Sequence, residues 1–326
     1  MEMEQSIRDF PKQFEYNPVI ENEANLKRQD KFVVVGMGGS HLAADLLKAA
    51  NPLLDIIIQK DYGLPDISDE ELKNRLIIAS SYSGNTEETI DALENALSKG
   101  LNAAVVSKGG KLIKIAQENN IPYIKMPDTG IQPRLAVGFS FKAIEALIEG
   151  KKAVDEYGKS GFFLDSGACE QRGRDLSANL RGKIPIIYSS RRNAAIAYVW
   201  KIIFNETGKI PSFYNEFPEL NHNEMAGFEA FAQTKNLSEK FHFIFLKDEN
   251  DDTRIIKRME ICEKFLKDWG LEVEVLKLRS LEKSKKEEMF NSILVSYWAA
   301  FYIAKNYGID SPGGEELVEK FKKQLG

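Results

Sequence analysis

Histidine and cysteine are scarce in this chain of 326 residues, which has three of the first and two of the second. The histidines, at 41, 222 and 242, are too few for a histidine-built zinc site, and Cys169 and Cys262 stand far apart with no metal-ligand spacing. Such cysteine usage suits a reducing cytoplasm better than a disulfide framework. Basic charge is not in excess: 44 Lys and Arg face 49 Asp and Glu, a formal net charge of -5. That balance offers no basic face to nucleic acid or to an anionic membrane. No apolar run approaches the ~20 residues of a membrane-spanning helix, and the acidic opening Met1-Glu2-Met3-Glu4 has no apolar core of signal-peptide length. The expectation is a cytoplasmic protein, long enough for two domains, that binds small anions through local donors.

The most informative stretch is Ser80-Ser81-Tyr82-Ser83-Gly84-Asn85-Thr86. It follows the apolar run Leu76-Ile77-Ile78-Ala79 and precedes residues with Ile90, Leu93 and Leu97 at helical spacing. A hydroxyl-rich turn at a helix N-terminus is suited to an anion, because unpaired backbone N–H groups and the helix dipole both favour negative charge there. With no Lys or Arg inside the loop, neutral donors would do the binding. A plain N-cap turn would also use Ser or Thr, yet one such residue would suffice for it.

This loop resembles the signature of the sugar isomerase (SIS) domain, in which a Ser/Thr-rich strand-to-helix turn holds a phosphorylated sugar. The resemblance implies Ser81, Ser83 and Thr86 as phosphate ligands. A second turn, Gly36-Met37-Gly38-Gly39-Ser40 after the strand-like Val33-Val34-Val35, matches the same domain and adds Ser40, with Gly38 and Gly39 lending backbone. The turn also has the look of a dinucleotide fingerprint, with Asp61 near the expected ribose-binding position. The hydroxyl loop, which a nicotinamide enzyme would not need, argues against that reading.

Residues 31–36, 55–59, 75–80, 102–107 and 121–126 read as short strands separated by helical stretches, the pattern of a parallel, doubly wound sheet. A closing helix is expected at 135–150. After it the composition becomes more charged, and the plan restarts with the strand 184–188, the helix 194–206, strands at 241–246 and 271–276, and helices at 253–269, 285–305 and 314–324. The expected fold is therefore α/β, with two doubly wound parallel-sheet subdomains of SIS type, 1–150 and 151–326, and a C-terminal helix. At the strand end corresponding to the hydroxyl loop, the second half has Ser189-Ser190-Arg191-Arg192, which either contacts substrate or caps a helix. Residues 211–227 read as a loop with a dense polar cluster, Asn221-His222-Asn223-Glu224. Glu206 ends an apolar helix, where partial burial would raise a carboxylate's pKa and suit it to proton transfer.

Taken together, these motifs are similar to one family, the bifunctional phosphoglucose/phosphomannose isomerases. The similarity runs from Phe10-Pro11-Lys12-Gln13 through both loops, Gln132-Pro133-Arg134 and Asn205-Glu206 to Pro218-Glu219-Leu220-Asn221-His222-Asn223-Glu224. It implies an isomerase of glucose or mannose 6-phosphate with fructose 6-phosphate, needing neither metal nor other cofactor. By the same analogy Glu206 is the base, His222 a ring-opening group donated across a homodimer interface, and Arg134 the cation beside the enediolate. The chain departs from the family in placing His41 after Gly-Gly-Ser. It also reads Asp310-Ser311-Pro312-Gly313-Gly314 before the terminal helix; with Val318 and Phe321 in the family's apolar positions the catalytic lysine falls on Lys322, with Lys320 and Lys323 as alternatives. Two other classes share the fold: a sugar-phosphate sensor, and other SIS isomerases. The polar cluster at 218–224 favours the glucose/mannose pair.

Overall fold

The computed structural model of the chain describes residues 2–150, 163–278 and 284–309, together with Val154, Lys320, Phe321 and Gln324. Most of the expected terminal helix, with Lys322 and Lys323, lies outside the described residues. The chain divides into two compact units, Arg8–Phe163 and Leu164–Gly326, with Glu2–Ile7 belonging to the second.

The first unit is built on six strands: β1 (Ile20–Glu21), β2 (Lys31–Val35), β3 (Asp55–Gln59), β4 (Leu76–Ser80), β5 (Ala103–Ser107) and β6 (Tyr123–Lys125). Their order across the sheet is β1-β6-β5-β4-β2-β3. Every pair is parallel except β1 with β6, and this short antiparallel edge was not expected, since two residues carry no readable periodicity. β4 and β5 are buried along their whole length. Covered on both faces, such strands read as unbroken apolar runs rather than alternating ones. Val33, Ile77, Val105, Leu93 and Leu112 meet in the core on one face. Each such side chain stabilises the fold by ~1.5–3 kcal/mol relative to exposure.

Chain order in this sheet reverses between β2 and β4. β2 leads by way of the helix Gly39–Ala50 to β3 on one side, and the next strand returns to the other side. The strand-end loops diverge at such a point and leave a crevice, the usual ligand position in open α/β sheets. Both sequence-predicted loops lie there.

The second unit has four parallel strands, β7 (Ile184–Ser190), β8 (Phe213–Phe217), β9 (Phe241–Lys247) and β10 (Glu272–Lys277), in the order β10-β9-β7-β8. Tyr188, Phe217, Phe243, Phe245, Met259 and Leu266 form its core against the helix Thr253–Asp268. The helix Lys285–Asn306 opens with a capping box in which Ser284 and Glu287 satisfy each other's backbone N–H. β8 corrects the expected loop at 211–227. Its Phe213 and Tyr214 are exposed and its Asn215 and Glu216 half-buried, so the segment lacks an apolar pattern and becomes a strand only by pairing with β7. Two short helical turns follow, Glu219–His222 and Glu224–Phe228. Among the described residues no helix is long and apolar enough to cross a membrane.

Candidate functional site

At the end of β4 the hydroxyls turn toward one another. Ser81 Oγ lies 2.7 Å from Thr86 Oγ1 and 3.5 Å from Ser83 Oγ, and accepts from the Gly84 N–H at 3.1 Å. Ser83 Oγ accepts from the Asn85 N–H at 3.3 Å. Thr86 is the N-cap of the helix Glu87–Ser98, yet its side chain makes no capping bond. Capping therefore does not explain the hydroxyl at this position: it faces Ser81 instead of the helix N–H groups. Among the described residues no carboxylate bonds any of these three hydroxyls.

The neighbouring loop is locked to the first. Ser40 Oγ accepts from the Tyr82 N–H at 3.0 Å, and the Ser80 hydroxyl donates to the Ser40 carbonyl at 3.0 Å. Ser40 is thus a latch between the loops whose own O–H proton is still able to donate. Gly39 allows a close approach on the other side, since a Cβ there would sit 3.2 Å from the Pro133 carbonyl and 3.4 Å from Arg134 Cα. Arg134, in the turn Pro133–Leu135, is only 3% exposed and donates to Gln132 Oε1 at 3.3 Å. The structure thereby brings Ser40, Ser81, Ser83, Thr86, Gly39 and Arg134 onto adjoining turns at the switch point. Gly38 caps the helix with φ +52°, the left-handed region that favours glycine.

Two supports of this site were not read from the sequence. Gln13 donates to the Leu135 carbonyl at 2.7 Å and accepts from the Phe139 N–H at 3.2 Å, clamping the turn that carries Arg134. Its only signal was its place in the N-terminal Phe-Pro-x-Gln segment. The turn after β5 backs the hydroxyl loop, with Lys108 N–H donating to the Tyr82 carbonyl (3.2 Å) and Leu112 N–H to the Gly84 carbonyl (3.0 Å). Gly84 has φ +75°, and a Cβ there would come within 1.8 Å of the Gly109 carbonyl, so no other residue fits. His41 is buried, hydrogen-bonded to Asp45, whose other oxygen receives Lys60 Nζ at 3.3 Å.

In the second unit Glu206 is the last residue of the helix Ala194–Glu206 and is half-buried. The turn beyond it is tied down by Asn205, whose amide donates to the Ile210 carbonyl at 3.0 Å. The polar cluster at 221–224 splits in two. Glu224 turns inward, accepting from the Tyr188 hydroxyl at 2.6 Å and from the Asn215 amide. Burial and then the adjacent carboxylate push the Tyr188 phenol far above its ordinary pKa, so it stays protonated and donates. His222 turns outward and is exposed on the turn Glu219–His222. Glu219 accepts from the Asn223 amide at 2.9 Å.

The strand end after β7 is filled by the protein's own acids. Ser190 donates to Asp251 at 2.8 Å, and the Asn193 amide reaches Ser190, Asp248 and Asp251 at 3.1 to 3.4 Å. Asp251 is raised above the ordinary carboxylate range by burial, whereas for Asp248 hydrogen bonds from Asn250 and Asn193 outweigh burial and hold it below. Arg192 donates to the Asn250 carbonyl at 3.0 Å. Among the described residues no group of three or more His, Cys, Asp or Glu side chains is arranged to hold a metal.

Comparison with known proteins gives a consistent result. The family model described as the bacterial phospho-glucose isomerase C-terminal SIS domain matches residues 170–325. A bifunctional phosphoglucose/phosphomannose isomerase of Caldicellulosiruptor bescii is 32% identical over 346 aligned positions, covering 99% of this chain and 98% of that protein. Its counterpart of the same name from Aquifex aeolicus is 29% identical, covering 98% and 97%. Among solved structures, tagatose-6-phosphate ketose/aldose isomerase from Escherichia coli superposes with a TM-score of 0.64 at 13% identity, over 95% of this chain and 99% of that one. At that identity the likeness concerns the fold, two α/β units of SIS type.

Proposed function

This chain belongs to the family of bifunctional phosphoglucose/phosphomannose isomerases, and on that premise we propose that it interconverts glucose 6-phosphate and mannose 6-phosphate with fructose 6-phosphate. In this reading residues 1–150 hold the phosphate, and residues 151–326 bring the proton-transfer groups. Ser81, Ser83 and Thr86 donate to the phosphate oxygens, with Ser40 beside them and the Gly38-Gly39 backbone closing the turn. The observation that carries the proposal is the Thr86 hydroxyl, which faces Ser81 rather than capping its helix. A phosphate placed there meets hydroxyl donors and the positive end of the helix together.

The chemistry follows in order. His222, supplied by a second copy in a homodimer, moves a proton between O1 and the ring oxygen, so that the C1–O5 bond breaks and the aldehyde forms. The Glu206 carboxylate takes the C2 proton, the electron pair moves into a C1–C2 double bond, and negative charge develops on the enediolate oxygens. The Arg134 guanidinium stabilises that charge. As the O2 hydroxyl proton passes to O1, return of the proton from Glu206 to C1 leaves the carbonyl on C2 and gives the ketose. General acid–base and electrostatic groups of this kind each contribute ~10²–10⁴ in rate. Lys322 is assigned by the resemblance alone. A cytoplasmic location belongs to the same reading, and both cysteines are buried in the fold.

A coupled assay with glucose, mannose and fructose 6-phosphates tests the proposal. Conversion of both aldoses to the ketose is expected. Binding of fructose 6-phosphate without conversion of either aldose would leave a sugar-phosphate sensor in place of an enzyme.

A further inference from the structure

The loop that presents His222 has a cation-rich neighbour. A cavity of about 500 Å³ is walled by Asn221 and Met225, which bracket His222 in sequence, and by Arg254, Lys257, Arg258 and Ile261 of the helix Thr253–Asp268. Among the described residues no acidic side chain lines it. Arg254 is held by Asp252 at 2.7 Å, but Lys257 and Arg258 form no ion pair among the described residues. Ile261 and Phe265 continue the same helix outward, 43% and 41% exposed. Such a face, carrying like charges without partners and two apolar side chains in water, fits a docking surface better than a solvated one.

The opposite charge pattern borders the hydroxyl loop of the first unit. Glu87 and Glu88 follow Thr86 directly, and the loop after β3, which carries Asp61, brings Tyr62 to the same helix, hydrogen-bonded to Glu87 and 51% exposed. Acidic residues in a first helical turn are favoured by the dipole, so their presence alone decides nothing. Their lack of cations does: Asp61, Glu87 and Glu88 form no ion pair among the described residues, while Lys60 is held by Asp45 and Lys111 by Glu94.

We propose that these two surfaces meet between two copies of the chain, Lys257 and Arg258 of one docking against Glu87 and Glu88 of the other. The contact delivers the exposed His222 to the hydroxyl loop of the second copy and sets the register in which it arrives. The inference rests on the reading that His222 acts across a dimer interface. It adds which surfaces make the interface and why the pairing is specific. Complementary charge of this sort steers association and fixes orientation, and it is screened beyond ~8 Å at physiological salt.

Charge reversal with exchange tests it. One variant carries Lys257→Glu with Arg258→Glu, and a second carries Glu87→Lys with Glu88→Lys. Alone, each places like charges at both contacts, and dimer dissociation constants from analytical ultracentrifugation at low salt should rise at least about tenfold. Mixed together they restore opposite charges at both contacts, so heterodimers should form with nearly the affinity of the unmodified chain. This rescue also excludes damage to either fold. Dimers indifferent to both reversals, or weakened dimers that mixing does not restore, would overturn the charged contact while leaving the dimer reading standing. An unmodified chain that stays monomeric at all concentrations would overturn the reading and the contact together.

Discussion

Two strand ends in this molecule start from nearly the same residues and finish with opposite contents. β4 ends at Ser80 and runs on into Ser81, β7 ends in Ser189-Ser190, and each leads through a turn to a helix of 12 or 13 residues. After β4 the hydroxyls contact one another and backbone N–H groups, and no charged side chain bonds Ser81, Ser83 or Thr86 among the described residues. After β7 the Ser190 hydroxyl and the Asn193 amide already donate to Asp251 and Asp248. A carboxylate occupies the donors that a phosphate would need. The same strand-to-helix plan thus leaves open donors in one unit and a sealed polar knot in the other, and the difference is whether an internal anion reaches the donors first.

The proposed function places phosphate binding at the open strand end and proton transfer on other residues, and its sharpest test is Glu206→Gln. The variant keeps the side chain's shape and removes the base, so kcat should fall by ~10²–10⁴ while fructose 6-phosphate binding persists. Solvent exchange of the C2 proton, followed by NMR, should fall with it. Retained exchange in Glu206→Gln together with its loss in Glu216→Gln would move the base to β8. Glu224 is a poorer candidate, because Tyr188 and Asn215 already engage both of its oxygens.

Removing donors from the open strand end comes next. Ser81→Ala with Ser83→Ala deletes two hydrogen bonds to a charged group, each worth ~1.5–3 kcal/mol, so kcat/KM for fructose 6-phosphate should drop by at least about 10². An unchanged KM would break the assignment of the cradle.

The sealed end should respond in stability instead. Asp248 is held below its ordinary pKa, so its contribution is present above the unfolded value and is lost as pH falls through the folded one. Asp248→Asn should therefore cost ~1–2 kcal/mol at pH 7 by thermal denaturation, with the gap to the parent closing in acid. The smallest effect is expected for Ser190→Ala, which should lower the melting temperature by a few degrees and leave KM for all three sugar phosphates within about twofold. A larger rise in KM would mean that the second strand end also meets substrate.

Most strands and helices were legible because their signals are local. The apolar runs of β2, β4 and β5 and the glycine-bearing and hydroxyl-bearing turns after β2 and β4 sit within a few residues of one another, and the crevice between those strands follows from chain order. Glu206 was visible as an acid at the end of an apolar helix. β8 was not, because Phe213-Tyr214-Asn215-Glu216 has no strand pattern of its own and is extended only through its register with β7. The cluster at 221–224 read as one polar unit, although packing divides it into an inward-turned, half-buried Glu224 and an exposed His222.

The sequence by itself determined the α/β plan, the two turns at the switch point, and the family to which they belong, since periodicity and short motifs are properties of neighbouring residues. Only tertiary structure decided that Ser40 latches one loop to the other, that Gln13 clamps the turn carrying Arg134, and that Ser190 is closed off by Asp251, 61 residues further along the chain. A donor's identity is written in the sequence, but its acceptor is whichever group folding brings within about 3 Å, and that choice is made across the sheet rather than along the chain.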